Sequence, residues 1–271
     1  MPELPEIEIT TNNLNKIIQP AVRVEEFVFF RKNLRNKIPI SKIKKLEGQN
    51  LLKIYRRAKF IIFQFEAASV ISHLGMTGSW RLESENWVRK THDHLAIRIN
   101  SAKILVYHDP RRFGEFNYFD NKDLNSRFIH FGPEPLAADL DWQQLTAQFK
   151  KLHSSIKAVL MNQKYLVGVG NIYANEALFR AGIKPHKKAH RVTEMQYSKL
   201  WQQVQLVLGE AISAGGSSIQ DFRNGYGEKG NFQNSFLVYG RDEKSCNQCD
   251  LKIKLSVISG RSTFWCKNCQ S

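Results

Sequence analysis

Gly132-Pro133-Glu134-Pro135 divides this 271-residue chain into two kinds of sequence. Two prolines this close fix φ twice and remove two backbone donors, so neither a strand nor a helix runs through them. On the N-terminal side, β-branched and aromatic residues alternate with polar ones, which predicts strands over 24–30, 48–56, 59–65, 69–74, 80–82, 95–100, 103–108 and 115–119. Short turns such as Asn100-Ser101 separate neighbours, as in a sandwich or flattened barrel. A leading helix over 3–19 precedes them. On the C-terminal side the period becomes helical, over 139–152, 155–162, 172–181 and 193–214, and the last helix stops at Gly215-Gly216. The expected fold is α+β, with a β-sandwich domain over 1–131, a linker over 132–137 and a helical domain over 138–216. Residues 217–240, rich in Gly, Ser and Asn with Phe222, Tyr226 and Phe232 interspersed, read as a loop able to close over a ligand.

The remaining stretch, 241–271, carries all four cysteines as Cys246-x2-Cys249 and Cys266-x2-Cys269, sixteen residues apart. This is the spacing of a closed, tetrahedral four-thiolate zinc site, so one structural Zn2+ is expected. Between the pairs Ile253, Leu255 and Val257 alternate, Ser259-Gly260 turns, and 262–265 returns, which makes a metal-clamped β-hairpin with Arg261 near its tip.

Forty Lys and Arg against 25 Asp and Glu give a net charge of +15, which favours an extended polyanion as partner, nucleic acid ahead of an anionic membrane. No apolar run approaches the roughly 20 residues of a membrane span, and the acidic N-terminus is no signal peptide, so a cytoplasmic location is expected. A Gly-rich cradle followed by Lys-Ser/Thr is missing, which argues against a nucleotide cofactor.

Met1-Pro2-Glu3-Leu4-Pro5-Glu6 has two readings. It starts a helix well, with proline in the first turn and glutamates at the positive end of the dipole. Removal of Met1 would also leave Pro2 with a free secondary amine beside Glu3 and Glu6. Such an amine, with a pKa near 7.7–8.0, is about a tenth neutral at pH 7, and on a sugar C1′ it forms a permanently cationic iminium. Three turns add further candidates. His73-Leu74-Gly75-Met76-Thr77-Gly78 projects a methionine between glycines, and Asp109-Pro110-Arg111-Arg112-Phe113-Gly114 presents arginine and an aromatic. Gly168-Val169-Gly170-Asn171 joins two helices at a possible phosphate site, with Asn171 as cap and Lys157 adding charge beside it. Lys59, and His92 in His92-Asp93-His94, are cations or phosphate contacts in this reading, and tight structural turns or a satisfied histidine cluster in the plainer one.

In this order, over the whole chain, these motifs resemble the bacterial formamidopyrimidine-DNA glycosylases. The resemblance implies a DNA glycosylase and abasic-site lyase of base-excision repair, acting as a monomer on damaged double-stranded DNA held between a β-sandwich and a helix-two-turn-helix module with a zinc finger. It implies Pro2 as the nucleophile, Glu3 as the proton carrier at the deoxyribose, and Glu6 as support for the helix and amine. Lys59, counted with the catalytic group, would join His73, His92, Lys157, Asn171 and Arg261 around the phosphates. Met76, Arg111 and Phe113 would fill the gap left by an extruded nucleotide. Ala58 departs from the family's usual glycine, which puts the presentation of Lys59 in question. Two rivals remain: an endonuclease VIII-like enzyme for oxidised pyrimidines, against which Leu4 and the Arg111/Phe113 pair argue, and a non-catalytic lesion binder.

Overall fold

A computed structural model of the chain describes residues 1–18, 21–99, 103–217 and 230–271. These residues form two compact units, Met1–Ile129 with Ala214–Asn231, and His130–Ser213 with Phe232–Ser271.

The first unit opens with α1 (Leu4–Ile17), whose first turn is closed by a reciprocal capping box between Glu3 and Glu6. One sheet pairs β2 (Asn50–Leu51), β1 (Val22–Phe29), β7 (Asp93–Ile99), β8 (Lys103–His108) and β6 (Ser79–Ser84) in that spatial order. The other pairs β3 (Lys53–Arg57), β4 (Phe60–Gln64), β5 (Ala68–His73) and β9 (Glu115–Asp120). Every ladder is antiparallel, as alternating sequence requires. Their inward residues build one core: Phe27, Trp80, Ile97 and Leu105 from the first sheet meet Ile54, Ile61, Phe63 and Phe116 from the second, and Ile7 and Leu14 of α1 close it. The Phe63 and Trp80 rings meet at 5.2 Å. This is the expected sandwich.

The expected strand over 48–56 is broken. Leu51 pairs with Val22 in the first sheet while Lys53 pairs with Gln64 in the second, so the chain crosses between layers at Leu52. Single-turn helices α2 (Ile40–Ile43) and α3 (Asn121–Leu124) complete the unit. The Asn100-Ser101 turn, Phe222 and Tyr226 lie outside the described residues.

In the second unit α4 (Trp142–Phe149) begins at the Asp141 cap, later than the apolar period suggests, because the Asp141 side chain accepts the Gln144 N–H. α5 (Ile156–Leu160) is capped by Ser155. α6 (Asn171–Ala181) is capped by Gly170 and not by Asn171, whose backbone is already helical, and it ends at Gly182 with φ 72°. α7 (Glu194–Ser213) runs one residue inside its expected limits at each end. Trp201 stacks on Trp142 and Tyr197 and donates its indole N–H to Thr146. The cysteine-bearing segment folds into the antiparallel hairpin β10 (Lys254–Ile258) and β11 (Arg261–Trp265), with Arg261 at its tip opposite Ile258.

Candidate active site

The N-terminus sits where the α1 cap, a hairpin turn and two loops converge. The Glu3 N–H donates to Glu6 Oε2 at 2.9 Å, and both glutamates are buried. Glu6 Oε1 accepts the Ser217 N–H at 2.8 Å and hydroxyl at 3.0 Å, which anchors the first residue of the expected covering loop. Gly216 there has φ 81°, and a Cβ on it would press on Glu6 Oε1 at 3.2 Å. Pro2 is buried. Burial lowers the pKa of the Met1 amine; Glu3 and Glu6 oppose that shift, and Lys59 and Arg111 reinforce it. The terminal amine therefore shares one electrostatic environment with Glu3, Glu6, Lys59 and Arg111, groups scattered over a hundred positions of sequence.

Lys59 does not begin a strand. With Ala58 it forms the two-residue turn between Arg57 and Phe60, and it is buried. Ala58 takes φ 54° and is the sole positive-φ residue of that pair, the pattern of a II′ hairpin turn, where glycine is the usual first residue. The substitution flagged in the sequence thus leaves the turn intact and places alanine in a strained backbone region.

His73, at the end of β5, packs on Phe60 with ring centroids 4.8 Å apart. Burial, with the nearby Lys59, Arg35 and Arg127 charges, pushes its pKa down to about 4, so the ring is neutral at pH 7. Its Nδ1 accepts the Gly75 N–H at 3.0 Å, which leaves the hydrogen on Nε2. His73 is thus an uncharged donor within a cluster of cations.

The Met76 turn and the Arg111–Phe113 turn are built against each other. A Cβ on Gly75 would fall 2.5 Å from the Phe113 carbonyl carbon, and one on Gly114 would fall 1.8 Å from the Tyr107 hydroxyl, so only glycine allows this approach. Asp109, completely buried, accepts the Thr77 hydroxyl at 2.6 Å and the Gly114 N–H at 2.9 Å. Arg111 and Phe113 are left exposed, the guanidinium lying 4.8 Å from the Phe113 ring centroid, and Met76 is half-buried. His92 is also exposed and lies edge-on to His108 at 5.7 Å, whose Nδ1 pairs with the buried Asp93. No metal-binding histidine cluster forms among the described residues, where the only group able to hold an ion is the cysteine set.

In the second unit the side-chain amide of Asn171, which is half-buried, donates to the Ser262 carbonyl at 3.0 Å, and the exposed Arg261 is the residue before Ser262. Lys157 corrects the expectation of a phosphate contact. Its side chain is fully buried and donates to the Ser262 carbonyl at 2.9 Å and the Thr263 hydroxyl at 2.7 Å, so it props the returning strand of the hairpin from beneath. Asn175 and Glu176, which the sequence reading passed over, do similar work. Asn175 accepts the Phe264 N–H at 2.9 Å, and the buried Glu176 accepts the N–H groups of Leu237, Val238 and Tyr239.

The four Sγ atoms of Cys246, Cys249, Cys266 and Cys269 lie within 4.8 Å of one another. Cys246 to Cys269 is 3.8 Å and Cys249 to Cys266 is 3.4 Å. A tetrahedron with metal–sulfur bonds of about 2.3 Å has edges near 3.8 Å, whereas a disulfide needs about 2.05 Å. The set fits one tetrahedral ion.

Residues 1–116 match the family model for the formamidopyrimidine-DNA glycosylase N-terminal domain, and 131–223 match that family's H2TH domain. The chain belongs to the formamidopyrimidine-DNA glycosylase family. It is a DNA repair enzyme cleaving N-glycosyl bonds, of a family that also carries abasic-site lyase activity. It is 43% identical over 270 residues to the formamidopyrimidine-DNA glycosylase of Bdellovibrio bacteriovorus and 38% identical to that of Pasteurella multocida, covering all of this chain in both cases. Among solved structures, the Lactococcus lactis Fpg bound to DNA containing N7-benzyl-Fapy-dG superposes with a TM-score of 0.91 at 32% identity, over 99% of each chain. The same Fpg with abasic-site DNA also scores 0.91.

Proposed function

We propose that this glycosylase excises oxidised purines, 8-oxoguanine and formamidopyrimidines, from duplex DNA and then cleaves the strand by β,δ-elimination, with Pro2 as nucleophile. The carrying observation is the shared environment of the terminal amine, Glu3, Glu6, Lys59 and Arg111. With Met1 removed, the Pro2 nitrogen attacks C1′, the C1′–N bond breaks, and the base leaves with a proton. Glu3, oriented by its cap to Glu6, protonates O4′ as the sugar ring opens to the iminium. The iminium acidifies C2′–H; loss of that proton expels the 3′-phosphate, a second elimination expels the 5′-phosphate, and water releases the sugar fragment from Pro2. Once Met1 is gone the Pro2 nitrogen is the chain terminus, and a terminal amine of pKa near 7.7–8.0 is about a tenth neutral and reactive at pH 7.

Damaged DNA is the partner, gripped at its phosphates by Lys59, His73, His92, Asn171 and Arg261. Met76, Arg111 and Phe113 enter the duplex where the nucleotide is flipped out, offsetting part of an extrusion cost of a few kcal/mol, and Arg111 pairs with the orphaned base. The ion held by the cysteines is a structural Zn2+, and one copy of the chain suffices. Fpg structures of the same fold that hold Fapy-dG and carbocyclic 8-oxo-G DNA support the substrate class.

Base release is the test. Duplexes with 8-oxoguanine opposite cytosine should be processed well ahead of thymine-glycol duplexes; the reverse ranking would assign the enzyme to oxidised pyrimidines. Glu3→Gln should bind an abasic analogue nearly normally while excision falls about 10²- to 10⁴-fold. Equal loss of binding and rate would make Glu3 merely structural.

A further inference from the structure

We propose that Thr77 is a positioning residue for opposite-base recognition: its hydroxyl registers the Arg111 backbone against the turn that carries Met76. The inference rests on the proposed pairing of Arg111 with the orphaned base. Thr77 Oγ1 donates to Asp109 Oδ1 at 2.6 Å and accepts the Arg111 N–H at 3.2 Å. One hydroxyl has a single donor and two lone pairs. With the donor committed to a carboxylate, its lone pairs face the Arg111 amide, so the two bonds define one orientation.

The acceptor end is itself immobile. Asp109 is fully buried, its second oxygen accepts the Gly114 N–H at 2.9 Å and faces the Tyr107 hydroxyl at 3.4 Å, and its carbonyl meets His94 Nε2 at 2.7 Å and the Arg112 N–H at 3.2 Å. Arg111 by contrast is exposed, on a loop whose next residue, Arg112, holds φ 59°. A long side chain on an exposed turn reads a base edge only as well as its Cα is fixed. The Thr77 hydroxyl reaches the Arg111 backbone from across the two turns, while the guanidinium lies over the Phe113 ring of its own turn. Met76, adjacent to Thr77, and Arg111 therefore enter the duplex as one piece.

The experiment compares Thr77→Val, Thr77→Ser and Arg111→Ala in the full-length enzyme. The ratio of excision opposite cytosine to excision opposite adenine is measured, with undamaged-duplex affinity, Tm and exchange protection of the Arg111 amide. Valine keeps the shape and deletes the hydroxyl, so Thr77→Val should lose about five- to tenfold in the ratio and the Arg111 amide protection, with undamaged-duplex affinity held. Serine keeps the hydroxyl and should keep the ratio within about twofold. Loss of the ratio in Arg111→Ala with full retention in Thr77→Val would overturn the role of Thr77. Retention in Arg111→Ala would instead overturn the underlying reading of Arg111. A Thr77→Val enzyme that merely melts lower, with the ratio unchanged, would make the hydroxyl structural.

Discussion

Ala58 shows how one residue can be readable as an anomaly and unreadable as an outcome. The replacement of glycine is visible in the sequence, yet whether alanine would bend the turn or be bent by it depends on the ladder around it. Five cross-strand pairs from Lys53–Gln64 to Arg57–Phe60 hold the register, and alanine is driven to φ 54°. An L-residue there carries about 1–2 kcal/mol of strain, against roughly 0.5–1 kcal/mol of extra entropy lost by glycine. Ala58→Gly should thus raise stability by up to about 1 kcal/mol in chemical denaturation and leave excision unchanged. A destabilised Ala58→Gly protein would show that the turn is unstrained.

At the scale of elements, alternation predicted the strands and cysteine spacing predicted the finger, because both patterns are local. What joins elements was hidden. Lys157 looks like any helix-surface cation until β11 is laid over it, and Asp93 looks like a loop acid until the ends of three strands meet. Burial alone would raise the Asp93 carboxyl, but hydrogen bonds from Arg81, the Lys90 N–H and His108 outweigh it and hold the pKa at about 2. The folded value lies below the usual 3.8, so this stabilisation is present above pH 4 and is lost as pH falls through about 2. Asp93→Asn should remove on the order of 2 kcal/mol at pH 7 and flatten the acid limb of the stability curve below pH 4; an unchanged limb would remove Asp93 from the account. For Lys157→Met, DNA affinity should fall while its salt slope holds, because the buried ammonium props the hairpin and meets no phosphate. A slope reduced by about 1 would put Lys157 on the DNA after all.

Over the whole molecule, a charge of +15 announced a polyanionic partner from composition alone, but which cations carry the grip depends on placement. His73, whose pKa burial and the nearby Lys59, Arg35 and Arg127 push down to about 4, donates as a neutral ring. Counterion release follows neutralised phosphates. Lys59→Ala should accordingly lower the salt slope of binding by about 1, while His73→Ala weakens binding without changing the slope; equal slope changes would contradict the neutral assignment. The candidate site was legible only as a set of motifs in order, since Glu3, Lys59 and Arg111 share no local pattern and act on the terminal amine together only in the folded sandwich. Reductive trapping interrogates that gathering directly. Borohydride added during turnover of an 8-oxoguanine duplex should link the protein covalently to DNA, with peptide mapping placing the adduct on the Pro2 nitrogen of chains lacking Met1. An adduct on Lys59, or equal trapping by chains that retain Met1, would contradict it.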